Sequence, residues 1–143
     1  NDYPITVRTG HSVSEIIVSP EEILYTVIES PRALLLLSDD GLRQVAGRMK
    51  SMDEGSLLLA DDQVEFERPA AARVRTFPFK ERALRLGTAS PSVLALATLV
   101  GLTEVVPPQA LLDAAAARKN AKVAASDTRA VEAGLELARE GGR

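Results

Sequence analysis

Three side chains near the start of the chain have the chemistry to bind or activate a ligand: Tyr3, Arg8 and His11, in the run Tyr3-Pro4-Ile5-Thr6-Val7-Arg8-Thr9-Gly10-His11. A guanidinium grips a carboxylate or phosphate through two parallel hydrogen bonds, and a tyrosine hydroxyl can orient the same group. Arg8 with Tyr3 therefore reads either as an anion-binding pair or as a surface arginine and a half-buried tyrosine on a connecting loop. His11 is of a type that titrates near neutrality and can serve as a general base. It has no companion. The chain has no cysteine, no second histidine and no Gly-x-Ser-x-Gly elbow, so His11 reads as a hydrogen-bonding loop residue and an independent hydrolase is disfavoured.

Paired acids occur at Glu21-Glu22, Asp39-Asp40 and Asp61-Asp62. Adjacent residues on a helix or strand do not aim at one point, and carboxylates suit the positive end of a helix dipole, so these pairs read as helix-start residues. Arg68, Arg73, Arg75, Lys80 and Arg82 make a modestly basic stretch that could meet an acidic ligand or partner, or form a solvated edge. No Gly-x-Gly-x-x-Gly fingerprint and no Walker loop occurs to cradle phosphates.

The order of residues in the first segment resembles the gamma subunit, or gamma domain, of the 2-oxoacid:acceptor (ferredoxin) oxidoreductases. That family reads Tyr-Gly-x-x-x-Arg-Gly-Gly followed by a strand ending Glu-Val-Ile-Ile-Ser, and Tyr3, Arg8, Gly10 and Glu15-Ile16-Ile17-Val18-Ser19 stand at the matching places. Pro4 and Thr9 replace two of its glycines. Ser90-Pro91-Ser92-Val93-Leu94-Ala95-Leu96-Ala97, leading through Gly101-Leu102-Thr103 to Val105-Val106-Pro107-Pro108, is similar to the family's apolar helix, turn and second helix, without its usual asparagine. The resemblance implies that Tyr3, Arg8, Thr9, Gly10 and His11 face substrate, coenzyme A or a neighbouring subunit.

It further implies oxidative decarboxylation of a 2-oxo acid, usually to an acyl-coenzyme A, with electrons passed to ferredoxin. Thiamine diphosphate, Mg and iron–sulfur clusters are then expected on partner subunits: alpha, beta and a ferredoxin-like delta. This chain would supply assembly surface and a wall of the coenzyme A or substrate pocket, and would be inactive alone. The alternative is a non-catalytic Rossmann-like module that binds a small ligand or protein. The family opens with a strand, a turn of the type Gly-x-Gly-Gly-Gln-Gly and a helix, none of which precedes Asn1. The expectation is a chain that begins inside the natural domain, or else a shorter variant that completes its sheet by another route.

The elements that must position these residues alternate. Ser12 to Val18 is rich in β-branched residues and reads as a strand. Ser19-Pro20-Glu21-Glu22 reads as a helix start, with Ser19 as N-cap and a short helix to about Tyr25. Ala33 to Leu37 and Ser56 to Ala60 are uninterrupted apolar runs, as expected of parallel strands covered on both faces. Between them Leu42, Val45, Ala46 and Met49 share one face of a helix. Arg73 to Phe77 alternates and stops at Pro78, giving a further, less buried strand. Helical stretches follow over Phe79 to Leu86, Pro91 to Val100, Pro108 to Lys119 and Asp127 to Glu140, the last with Ser126 as N-cap.

The fold expected is α/β: a Rossmann-like three-layer domain with a mostly parallel sheet and a helical C-terminal third, all in a single domain over 1–143. The chain's 143 residues suffice for one substantial core, and its net charge of −3 gives no reason to expect nucleic acid. Without cysteines it can form no disulfide and ligate no conventional iron–sulfur cluster. No apolar run approaches the roughly 20 residues that span a bilayer, so a cytoplasmic location is expected. The isolated chain is expected to expose an apolar interface, at Tyr3 to Gly10, Val105-Val106-Pro107 or the alanine-rich helix, and could form a homodimer.

Overall fold

The strand β2, Leu57–Asp61, is buried at every residue and lies between two parallel neighbours. These are β1 (Ala33–Leu36) and β3 (Arg73–Phe77), giving the order β1-β2-β3. Ala33 stands opposite Leu57, and Leu57 opposite Arg73. The computed structural model describes residues 12–24, 27–87 and 90–141. Tyr3, Arg8, Thr9, Gly10 and His11 lie outside the described residues, as does Tyr25.

Successive side chains of a strand point to opposite faces, so an unbroken leucine run must be covered twice. Leu57 and Leu59 join Phe77, Phe79, Leu94, Ala95, Ala130, Ala133 and Leu137 on one face. Leu58 and Ala60 join Leu36, Val45, Met49, Met52 and Val64 on the other. The result is the αβα sandwich that the alternating pattern predicts. Helix α1 (Asp39–Lys50) covers the second face. Helices α2 (Phe79–Arg85), α3 (Pro91–Thr103) and α5 (Ala121–Glu140) cover the first, and α4 (Pro108–Ala116) packs on α5.

Local chemistry starts and stops these helices. Ser38 Oγ accepts from Gly41 N at 3.1 Å and Ser90 Oγ from Val93 N at 3.3 Å, each satisfying an N–H that the first helical turn leaves open. Gly87, at φ 63°, follows α2, a backbone conformation that glycine adopts without strain.

Helices α3 and α5 approach closely because small residues line their contact. A Cβ added at Gly134 would lie 2.3 Å from the Leu94 carbonyl oxygen, and one at Gly101 would lie 2.7 Å from Ala138 Cβ. The fully buried Thr98 sits in this seam. Its Oγ1 is 3.0 Å from the carbonyl oxygens of both Leu94 and Gly134, so its proton ties the two helices together.

Three expectations are corrected. Ser12 to Val18 forms no strand; it runs irregularly, with Ile16 70% and Val18 65% exposed. β-Branched residues favour a strand only where a neighbour offers hydrogen bonds and cover, and no described strand flanks this segment. The helix expected after Ser19 is absent among 20–24. Ser19 Oγ instead accepts from Glu21 N at 3.0 Å, a local turn that competes with helix.

The third correction concerns the C-terminal helices. Helix α4 ends at Ala116, before Lys119. Helix α5 begins at Ala121, because Asn120 Oδ1 accepts from Lys122 N and Val123 N at 3.0 and 3.2 Å. Asn120, not Ser126, is therefore the cap. Asp127 lies inside the helix, where its carboxylate takes the Arg118 Nε–H at 3.1 Å and clasps the α4–α5 turn. Helix α3 also runs on to Thr103 and closes at Glu104, with φ 50°.

Candidate functional site

Ligands of open parallel sheets gather at the carboxyl ends of the strands. Here that end carries Asp61, the last residue of β2 and fully buried. Its Oδ2 accepts from Lys80 N at 2.9 Å, its Oδ1 accepts from Gln63 N at 3.3 Å, and Lys80 Nζ stands 3.6 Å from Oδ1. Both oxygens are engaged with the start of α2 and the turn after β2. Asp61 thus anchors α2 to the sheet from the end of β2, rather than starting a helix of its own, and both its oxygens are engaged in that contact.

The other paired acids differ from one another. Asp39 and Asp40 occupy the first turn of α1, where the helix dipole favours them. Glu21 and Glu22 are exposed and start no helix. Of the basic stretch, Arg75 donates to the Gly141 carbonyl, Lys80 faces Asp61, and Arg82 lies 3.8 Å from Glu136 and 3.3 Å from Glu140. These contacts fix the C-terminus of α5 and the start of α2. Of the five, only Arg68 and Arg73 have side chains with no ion-pair or hydrogen-bond partner among the described residues.

Two concavities lie on the surface. A groove of about 500 Å³ runs between α1 and the approach to β3, lined by Leu42, Ala46, Met49, Met52, Pro69 and Ala70 with Lys50, Glu67 and Arg68 among them. A second, of about 330 Å³, lies between Leu86 and the charged flank of α5, at Arg129, Glu132, Glu136 and Arg139. Neither brings together a nucleophile and a base. No group of three or more His, Cys, Asp or Glu among the described residues could hold a metal ion, and none of the described helices is long and apolar enough to cross a membrane.

The conspicuous surface is apolar. Val13, Ile16, Val18, Ile23, Leu24 and Val27 are exposed by 42 to 76%, so six of the nine exposed large hydrophobics among the described residues fall in one segment of the chain. Val105, expected in such a patch, is 55% exposed. The sequence reading placed Val13, Ile16 and Val18 in a strand and Ile23 and Leu24 in a helix, and so missed them as surface. The one warning was the lack of an adjacent strand signal to cover them.

A sequence model of the family described as pyruvate ferredoxin/flavodoxin oxidoreductase matches residues 1–137. The chain belongs to that family. Among solved structures, this pyruvate ferredoxin/flavodoxin oxidoreductase family member is similar to the gamma subunit of a keto/oxoacid ferredoxin oxidoreductase from Geobacter sulfurreducens PCA. The TM-score is 0.67 at 22% identity, over 82% of this chain and 67% of that one. At that identity the likeness establishes a shared fold. Among curated proteins there is no significant match. Since this family member has no cysteine in its 143 residues, they supply no thiolate to hold an iron–sulfur cluster.

Proposed function

We propose that the chain is a gamma-type subunit or domain of a 2-oxoacid:ferredoxin oxidoreductase, contributing assembly surface rather than reactive groups. The observation that carries this reading is the family match over residues 1–137 on a chain whose described part joins an αβα core to an uncovered apolar segment. Oxidative decarboxylation needs a carbanion-stabilising cofactor and an electron relay. The donor set here suits neither, so thiamine diphosphate, Mg and iron–sulfur clusters belong to alpha, beta and delta partners, with ferredoxin as the acceptor. Coenzyme A is the co-substrate of the assembly. Its pocket wall, or a subunit contact, is assigned to the segment that holds Tyr3, Arg8, Thr9, Gly10 and His11.

The domain acts as a single unit over 1–143 in this reading. Exposed apolar side chains on an otherwise well-packed domain match the chemistry of an obligate interface, which resembles a core cut in half. Co-expression with the cognate alpha, beta and delta chains tests the proposal. The expected outcome is a stable complex that reduces ferredoxin with one of a panel of 2-oxo acids, while this chain alone is inactive. A complex of alpha, beta and delta that forms and turns over equally well without this chain would overturn it.

A further inference from the structure

We propose that a second copy of this chain seats its Glu21-Glu22-Ile23-Leu24 segment in the groove between α1 and residues 67–71. The groove has an apolar floor of Leu42, Ala46, Met49, Met52, Pro69 and Ala70. Lys50 and Arg68 border it against the single carboxylate of Glu67, so it is net positive on a chain whose overall charge is −3. Neither cation has an ion-pair partner among the described residues.

The segment carries the complementary pattern. Residues 12–30 contain four glutamates and no lysine or arginine. Glu15 is held by Arg48, whereas Glu21 and Glu22 are exposed and have no ion-pair partner among the described residues. Directly after them Ile23 and Leu24 are 44% and 76% exposed. Two carboxylates followed by two branched apolar side chains suit two cations beside an apolar floor. The attraction between the charges sets register and speeds encounter, and the buried methyls supply the affinity.

A second copy is favoured because both surfaces are carried on every molecule while the segment is rooted away from its own groove. Its ends are tied to the last turn of α1 and the residue that follows it, at one end through Glu15 and Arg48. At the other, Ser51 Oγ donates to the Glu29 carbonyl at 2.6 Å and Ser30 Oγ donates to the Ser51 carbonyl at 2.7 Å. Arg48 and Ser51 do not line the groove. Reciprocal exchange satisfies both surfaces and closes a two-fold dimer.

The test needs this polypeptide alone and no partner subunit. Sedimentation should show a concentration-dependent dimer, weakened about tenfold or more by Glu21→Lys with Glu22→Lys, and similarly by Lys50→Glu with Arg68→Glu. An equimolar mixture of the two reversed chains should restore both complementary pairings in the mixed dimer, one with native and one with inverted polarity, and circular dichroism should show every variant folded. Because the chain is free of cysteine, a mixture of Leu24→Cys and Ala46→Cys chains should yield the disulfide-linked heterodimer under a mild oxidant. A strictly monomeric chain at millimolar concentration, or a dimer indifferent to charge reversal, overturns the proposal. So does an intrachain disulfide formed at high dilution in the Leu24→Cys, Ala46→Cys double variant, since the groove would then hold the chain's own segment.

Discussion

Two regions with similar amino-acid chemistry behave in opposite ways. Leu57-Leu58-Leu59-Ala60 is wholly buried, while Ile16, Val18 and Val27 are 65 to 70% exposed. Composition does not separate them. The leucine run has strands on both edges and helices on both faces, whereas the earlier segment meets α1 mainly at its ends, through Glu15 and through Glu29 and Ser30. Burial is a property of the neighbourhood, and hydrophobic residues without one form an exposed apolar surface.

The comparison can be broken most sharply in the α3–α5 seam. Gly134→Val should destabilise the chain by more than about 3 kcal/mol or abolish folding, because the new Cβ meets the Leu94 carbonyl, which a side-chain rotation cannot relieve. Urea unfolding followed by circular dichroism measures it. Leu58→Ala removes a fully buried side chain from the α1 face and should cost about 2–5 kcal/mol by the same assay.

A smaller effect is expected at the α5 cap. Asn120→Ala leaves the Lys122 and Val123 N–H groups without their side-chain acceptor and should cost about 0.5–2 kcal/mol, with Asn120→Asp largely neutral. Ile16→Ser sharpens the contrast from the other side. In the isolated chain it should change stability by no more than about 0.5 kcal/mol, as exposed positions do. Titration against the partner subunits should show weakened assembly for the same variant. A large loss of stability in the isolated chain would mean that the segment already belongs to its core.

The parts legible from sequence are those whose determinants lie close together along the chain. Ala33–Leu36, Leu57–Asp61 and Arg73–Phe77 match the expected strands nearly residue for residue, since short apolar or alternating runs between turn residues have few alternatives. Helix α1 follows its spacing, although Ala46 is exposed. The start of α5 was misread because Asn120 and Ser126 are both acceptable caps. Only Asn120 stands where the turn from α4 releases the chain. Of the site residues inferred from sequence, Tyr3, Arg8, Thr9, Gly10 and His11 lie outside the described residues, and their roles belong to the proposed function.

Residue types and spacing by themselves determined the αβα layering, the absence of thiolate ligands and the resemblance to an oxidoreductase subunit. Each depends on local pattern or on which side chains exist at all. Tertiary structure decided that Asp61 would be consumed in anchoring α2, that Gly134 would be hemmed in by Leu94, and that the residues around Ile16 would stay uncovered. Those outcomes depend on contacts between residues distant in the chain, and periodicity along the chain carries no record of which surfaces will meet.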